Sequence, residues 1–190
     1  MKIGLIRHFK VTRGYPASYV TSDELMKWVE EYDASDVEGN EVDLKDIDWE
    51  GCYSSDLSRA QITAEAVYEG EITFLKELRE IRLSPIFRSD RKLPLFLHMA
   101  SIRLAWWFNH RSQPESKREI EERIRVVVDR VVHEGKDVLI VGHGGIMIFM
   151  RKELRKRGFT GPSFRRPSNG KVYVYQAGQG DHSLKQYNHR

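Results

Sequence analysis

The order of elements in this chain predicts an α/β fold, a three-layer α/β/α sandwich with a mostly parallel central sheet. Three observations carry that expectation. Short apolar runs recur at Ile3–Ile6, Ile72–Leu75 and Val138–Val141, as in strands buried on both faces. Segments with helical apolar spacing alternate with them. Finally, two of the runs end abruptly in polar residues, one at Arg7-His8 and the other at Gly142-His143-Gly144-Gly145. Open parallel sheets gather their sites at the carboxyl ends of strands, so a fold of this class brings the two histidines together.

The elements follow in order. After the first strand, Phe9 to Tyr19 contains Gly14 and Pro16 and reads as a loop. Thr21 or Ser22 is placed to cap a helix through Leu25, Trp28, Val29 and Tyr32. The acidic run Asp33–Glu50 lacks the alternating ligands of a calcium loop and reads as a solvated connection. Gly51–Ser54 forms a short strand, with Ser55-Asp56 as a capping pair for a helix packed through Ala60, Thr63, Ala64 and Val67, closed by Gly70. Ile72–Leu75 is a strand, and Glu77–Ile81 enters an irregular stretch. Leu93–Phe108 is an unusually apolar helix, for which core packing is the simpler reading. Pro114 opens a helix with the stripe Ile120, Ile124, Val127, Val128 and Val131, exposed pairs Glu119/Arg123 and Glu121/Arg125, and a stop at Gly135. The helix after Gly145 ends in Arg151, Lys152, Arg155, Lys156 and Arg157, which suits its dipole. Lys171–Tyr175 is the last strand, and the residues after it form an edge strand or a tail.

Composition narrows the function class. With 190 residues the chain is expected to form one domain, 1–190, with a helical insertion at about 86–112 as a candidate cover for the site. Its 31 basic and 28 acidic residues leave a net charge of +3, which does not call for a nucleic-acid partner. Cys52 stands alone, excluding an internal disulfide and a cysteine metal cluster. The apolar start is broken too early by Arg7 for a secretory leader, and Leu93–Phe108 is too short to span a bilayer. The expectations are a cytoplasmic protein, no membrane partner, and self-association into a homodimer left open.

Five polar residues fall at strand ends or helix starts: Arg7, His8, Arg59, Glu80 and His143. Arginine forks match phosphate oxygens and keep their charge at any working pH. The amides of Gly144 and Gly145, at a helix start, offer further donors to the same anion. One histidine is then available as a nucleophile and one carboxylate as an acid for a leaving oxygen.

The stretches around these residues resemble the histidine phosphatase superfamily, the phosphoglycerate mutase-like family. They are Leu5-Ile6-Arg7-His8, then Tyr53-Ser54-Ser55-Asp56-Leu57-Ser58-Arg59-Ala60 with Thr63-Ala64, then Leu78-Arg79-Glu80-Ile81, then Val141-Gly142-His143-Gly144, in the family's order. The resemblance implies that His8 is the nucleophile, becoming a phosphohistidine. It implies that Arg7, Arg59 and His143, with Gly144, hold the phosphoryl group, and that Glu80 protonates the departing alcohol. It implies no metal and no cofactor. Three departures bear on substrate: Phe9 stands where the family usually has glycine, Gly14 where the mutases carry an asparagine, and Arg82–Asp90 lacks the glycine-tryptophan-glutamate-glycine pattern of family phosphatases. A bulky Phe9 is expected to narrow or reshape the mouth of the site.

The leading expectation is a metal-independent phosphomonoesterase acting on a small phosphorylated metabolite, with Leu93–Phe108, Arg79, Arg82 and Arg88 shaping the pocket. The alternatives are a mutase-like phosphotransferase, which passes the phosphoryl group to an alcohol instead of water, and a non-catalytic phosphate-binding or protein-interaction module.

Overall fold

The computed structural model describes residues 1–86 and 90–178. The chain begins with β1 (Lys2–Arg7), β2 (Lys10–Val11), β3 (Tyr19–Val20), α1 (Ser22–Asp33), β4 (Val37–Glu38), β5 (Gly51–Ser55) and α2 (Ser58–Val67). It continues through β6 (Ile72–Leu75), a 3-10 turn at Lys76–Leu78, β7 (Leu93–Pro94), α3 (Leu95–Trp107) and α4 (Lys117–Glu134). The last elements are β8 (Val138–Gly142), α5 (Gly144–Lys156), β9 (Phe159–Thr160) and β10 (Val172–Ala177). The main sheet has the order β6-β5-β8-β1-β10-β9. β6, β5, β8 and β1 run parallel, while β10 and β9 close one side antiparallel. This is the mostly parallel sheet that the sequence predicts.

Alternation along the strands divides the core. Ile3, Leu5, Tyr53, Val138 and Ile140 face α4 and α5, which bring Ile120, Ile124, Val128, Ile146 and Met147. Ile6, Cys52, Leu139 and Val141 face the other way, onto Ala60 and Ala64 of α2 and onto Trp49. Helices therefore cover both faces, and each fully buried aliphatic contributes ~1.5–3 kcal/mol by leaving water. Gly4 is a close-approach glycine: a Cβ there would sit 2.8 Å from both Leu139 and the Trp49 ring. α1 and α3 make a separate small core around Val20, Leu25 and Ile102.

The capping signals are partly as read. Thr21 and Glu24 form a reciprocal capping box on α1, and Gly135, at φ 70°, ends α4 in the left-handed conformation. α4, however, starts after Ser116, which forms the box with Glu119, and not at Pro114. That engages Glu119, so Arg123 pairs instead with Glu115, Arg125 with Glu122, and Glu121 with Lys117. α2 has no side-chain cap, and it stops at Val67, short of Gly70.

Two longer stretches also differ from expectation. The acidic connection is only partly solvated, because Val42, Leu44, Ile47 and Trp49 pack onto the α2 side of the sheet. α3 is core on one face alone: His98, Ile102 and Ala105 are buried, while Phe96, Leu104 and Trp107, with the following Phe108, are well exposed. Arg88 and the segment after Gly178 lie outside the described residues.

Candidate active site

β1 and β8 are adjacent and parallel, with Arg7 opposite Gly142. Their carboxyl ends therefore deliver Arg7-His8 and His143-Gly144 to one place, as the sequence pattern requires. The two imidazoles lie 5.1 Å apart between ring centres, and both are buried. The peptide N–H of His8 donates to the Gly142 carbonyl at 3.0 Å, locking the two strand ends together.

The hydrogen bonds of His8 define its chemistry. Nδ1 lies 2.6 Å from the Phe9 carbonyl oxygen. A carbonyl only accepts, so Nδ1 carries the proton and Nε2 keeps its lone pair. Burial, then the positive field of Arg59, push the His8 pKa down to about 3, against a smaller opposing pull from the Phe9 carbonyl. His8 is thus neutral near pH 7. His143 is pushed well below its ordinary value as well, by burial first and then by Arg59, His8, Arg7 and Arg123. Its Nε2 lies 2.9 Å from Ser55 Oγ, and that hydroxyl accepts from the Leu57 peptide N–H. The Ser55 hydroxyl thus links His143 Nε2 to the start of α2, and Nδ1 of the ring faces no protein partner.

Arg59, in the first turn of α2, is 3% exposed. One of its terminal nitrogens bonds Asp33 Oδ1 at 2.7 Å, and its guanidinium lies 5.5 Å from the centre of the Tyr32 ring. Arg7 donates from Nη1 to the Pro167 carbonyl, and its guanidinium lies against the Cα of Gly144. A Cβ on Gly144 would sit 3.6 Å from Arg7 Nε. Arg7 Nε, Arg59 Nε and His143 Nδ1 are buried without a protein partner. Two guanidinium donors and an open imidazole nitrogen beside a neutral His8 make a cradle for a tetrahedral oxyanion.

Glu80 stands at the start of α5. Its Oε2 accepts from Gly145 N at 3.0 Å, and its Oε1 from Ile146 N at 3.2 Å and Ile81 N at 3.0 Å. The sequence reading assigned the Gly145 amide to a bound anion, but that amide is engaged by Glu80. Gly145 keeps the space that this carboxylate fills, since a Cβ would fall 2.6 Å from Glu80 Oε1 and push it aside. Arg123 braces the segment from α4, donating to the Glu77 and Arg79 carbonyls while pairing with Glu115.

All five sequence-derived residues, with Gly144, thus lie around the joined ends of β1 and β8. Several supporting residues escape sequence reasoning. Ser55 and Asp56 do not cap α2; Ser55 serves His143, and Asp56 forms a two-bonded pair with Arg79 at 2.6 Å. Asp33, read as part of the solvated acidic run, pairs with Arg59. Thr63 holds the Phe9 peptide N–H, and Asn169 donates to the carbonyls of His8 and Phe9. Only the acid at the end of α1 left a sequence signal, as a carboxylate following an apolar helical stripe. The Phe9 ring is buried, with its edge near Gly39. Among the described residues no cluster of three or more His, Cys, Asp or Glu is placed to hold a metal ion. None of their helices is long and apolar enough to cross a membrane.

Comparison with known proteins agrees with this geometry. The family model of the histidine phosphatase superfamily (branch 1) matches residues 40–190, which include Arg59, Glu80 and His143. The structure adds Arg7 and His8 from β1. Among solved structures, the α-ribazole phosphatase from Shigella flexneri is 18% identical, with a TM-score of 0.57 over 94% of this chain and 92% of that one. YhfR of Bacillus stearothermophilus is 19% identical, with a TM-score of 0.59 over the same shares. A mycobacterial glucosyl-3-phosphoglycerate phosphatase is 21% identical, with a TM-score of 0.50 over 82% and 79%. Identities this low carry the fold and nothing of substrate. Comparison with curated proteins gives no match. The chain belongs to the histidine phosphatase superfamily, as a phosphatase of its first branch.

Proposed function

We propose that this protein hydrolyses a phosphomonoester of a small metabolite, without a metal, through a phosphohistidine on His8. The observation that carries the reading is the protonation pattern of His8. Its Nδ1–H is fixed on the Phe9 carbonyl, so Nε2 is the nitrogen left to attack. The buried Arg59 and the enclosed Nε of half-buried Arg7 supply unpartnered donors around it, with His143 Nδ1 unpartnered beside them. In the first step Nε2 bonds to phosphorus while the ester P–O bond breaks, and the departing alkoxide takes a proton from the Glu80 carboxyl. In the second, water attacks phosphorus, the P–N bond breaks, and the water's proton passes to the Glu80 carboxylate, releasing inorganic phosphate. Arg7, Arg59 and His143 neutralise the charge that spreads over the phosphoryl oxygens, the task a metal ion performs in other phosphoryl-transfer sites.

Two relatives by fold carry names that specify small phosphorylated metabolites, which supports a substrate of that size. The test is hydrolysis of a phosphomonoester panel in EDTA, with His8→Ala alongside. Turnover that survives EDTA, vanishes in the variant, and leaves an acid-labile phosphoryl label on the wild-type protein supports the proposal. A folded wild type with no turnover beyond that of His8→Ala sinks it.

A further inference from the structure

We propose that Asn169 is a positioning residue for the nucleophile. Its side-chain amide holds the Phe9 carbonyl, and through it the His8 imidazole, in the orientation and tautomer that leave Nε2 free. The inference rests on the reading of His8 as nucleophile.

Asn169 Nδ2 lies 2.7 Å from the His8 carbonyl oxygen and 3.2 Å from the Phe9 carbonyl oxygen. Both partners can only accept, so the NH2 end of the amide faces them. The Phe9 oxygen therefore receives two donors, His8 Nδ1–H and Asn169 Nδ2–H, one for each lone pair. That occupancy fixes the direction of the carbonyl, and the carbonyl fixes the proton of the imidazole. Without Asn169 the Phe9 carbonyl oxygen keeps only the bond from the His8 ring; Thr63 holds the preceding peptide, through the Phe9 N–H.

Asn169 is itself held firmly. It forms a parallel bridge with Arg7, and the Gly170 N–H donates to the Arg7 carbonyl at 2.9 Å. Gly170 has φ 61°, and a Cβ there would lie 2.7 Å from the Asn40 side chain. The Ser168 N–H donates to Tyr173 Oη at 2.9 Å, and Arg7 Nη1 reaches the Pro167 carbonyl at 3.1 Å. One short loop thus secures Arg7, His8 and Phe9 together. It sits 161 positions from His8 in the chain.

The test is Asn169→Asp, which keeps the size of the side chain and removes the donor. Two readouts are taken: steady-state kinetics on the best phosphomonoester, and 15N spectra of the histidine rings, which distinguish Nδ1–H from Nε2–H imidazole. The expected result is a fall in kcat of roughly 10- to 100-fold at little changed KM, with His8 moving away from the Nδ1–H form. Asn169→Ala gives the same two changes without an added charge and takes the place of Asn169→Asp if that variant does not fold. A folded donor-less variant with wild-type kcat and an unchanged His8 spectrum overturns the inference. If the wild type turns over no phosphomonoester, the proposed function fails, and the ring spectra still decide the role of Asn169.

Discussion

The two histidine-tipped strands look alike in sequence and differ in what the fold does with them. At the end of β1, His8 is tied through Nδ1 to a backbone carbonyl and its Nε2 is left open. At the end of β8, His143 is tied through Nε2 to the Ser55 hydroxyl, and its Nδ1 is buried without a partner. One ring thereby keeps its Nε2 open, the other its Nδ1. The same residue type at the same kind of position presents opposite nitrogens, because each ring is held by a different partner. Arg59 acts on both, lowering each pKa through its charge.

The comparison breaks most sharply at the nucleophile. His8→Ala is expected to cut kcat on the order of 10⁴-fold, measured by phosphate release. His143→Ala should leave a burst of phosphohistidine detectable, because it does not remove the attacking atom. Next in size is Gly145→Ala, which drives a methyl into the Glu80 carboxylate. A displacement of that kind costs about 100-fold in kcat when a reacting group moves by ~1 Å, with the fold retained by circular dichroism. Ser55→Ala removes the partner of His143 Nε2 and is expected to lower kcat/KM about tenfold. An equal effect on His8 ring spectra would show that the two histidines are not separately controlled. Asp33→Asn keeps the shape beside Arg59 but drops the charge. Since Asp33 is 47% exposed, solvent screens the pair, and a loss of only about threefold in kcat/KM is expected.

The smallest expected effect is none. In an NMR titration, the His8 ring should keep its neutral signals from pH 8 down to pH 4, because its pKa is lowered to about 3. Stability carries the same sign. The unfolded His8 takes up a proton near pH 6.5 and the folded one does not until about 3. Its contribution is therefore complete above pH 6.5 and is lost as pH falls through that window. Urea midpoints at pH 7 and pH 5 should show the loss, and it should shrink in His8→Ala. A His8 that titrates near 6.5 in the folded protein would remove this part of the comparison.

How much could be read in advance follows the range of each interaction. The stripe of α4 was legible because Ile120, Ile124, Val127, Val128 and Val131 repeat at helical spacing, and those are the buried residues of that helix. The strand β6 was legible for a similar reason, as an apolar run bounded by turn residues. The capping pair Ser55-Asp56 was misread, because local rules favour caps while tertiary partners bid for the same side chains: His143 for Ser55, Arg79 for Asp56. The direction of the Phe9 ring is not written in its position after His8; the fold turns its edge toward Gly39.

By itself the sequence determined the layered α/β class and the two strands tipped with polar residues. These follow from hydrophobic period and from residue type, both written locally along the chain. Only the tertiary structure decided which nitrogen of each histidine is free, that Glu80 occupies the Gly145 amide, and that Asp33 and Asn169 belong to the site. Those facts depend on hydrogen bonds about 3 Å long between residues up to 161 positions apart. Nothing in local spacing encodes such a contact; the folded sheet creates it by setting β1 between β8 and β10.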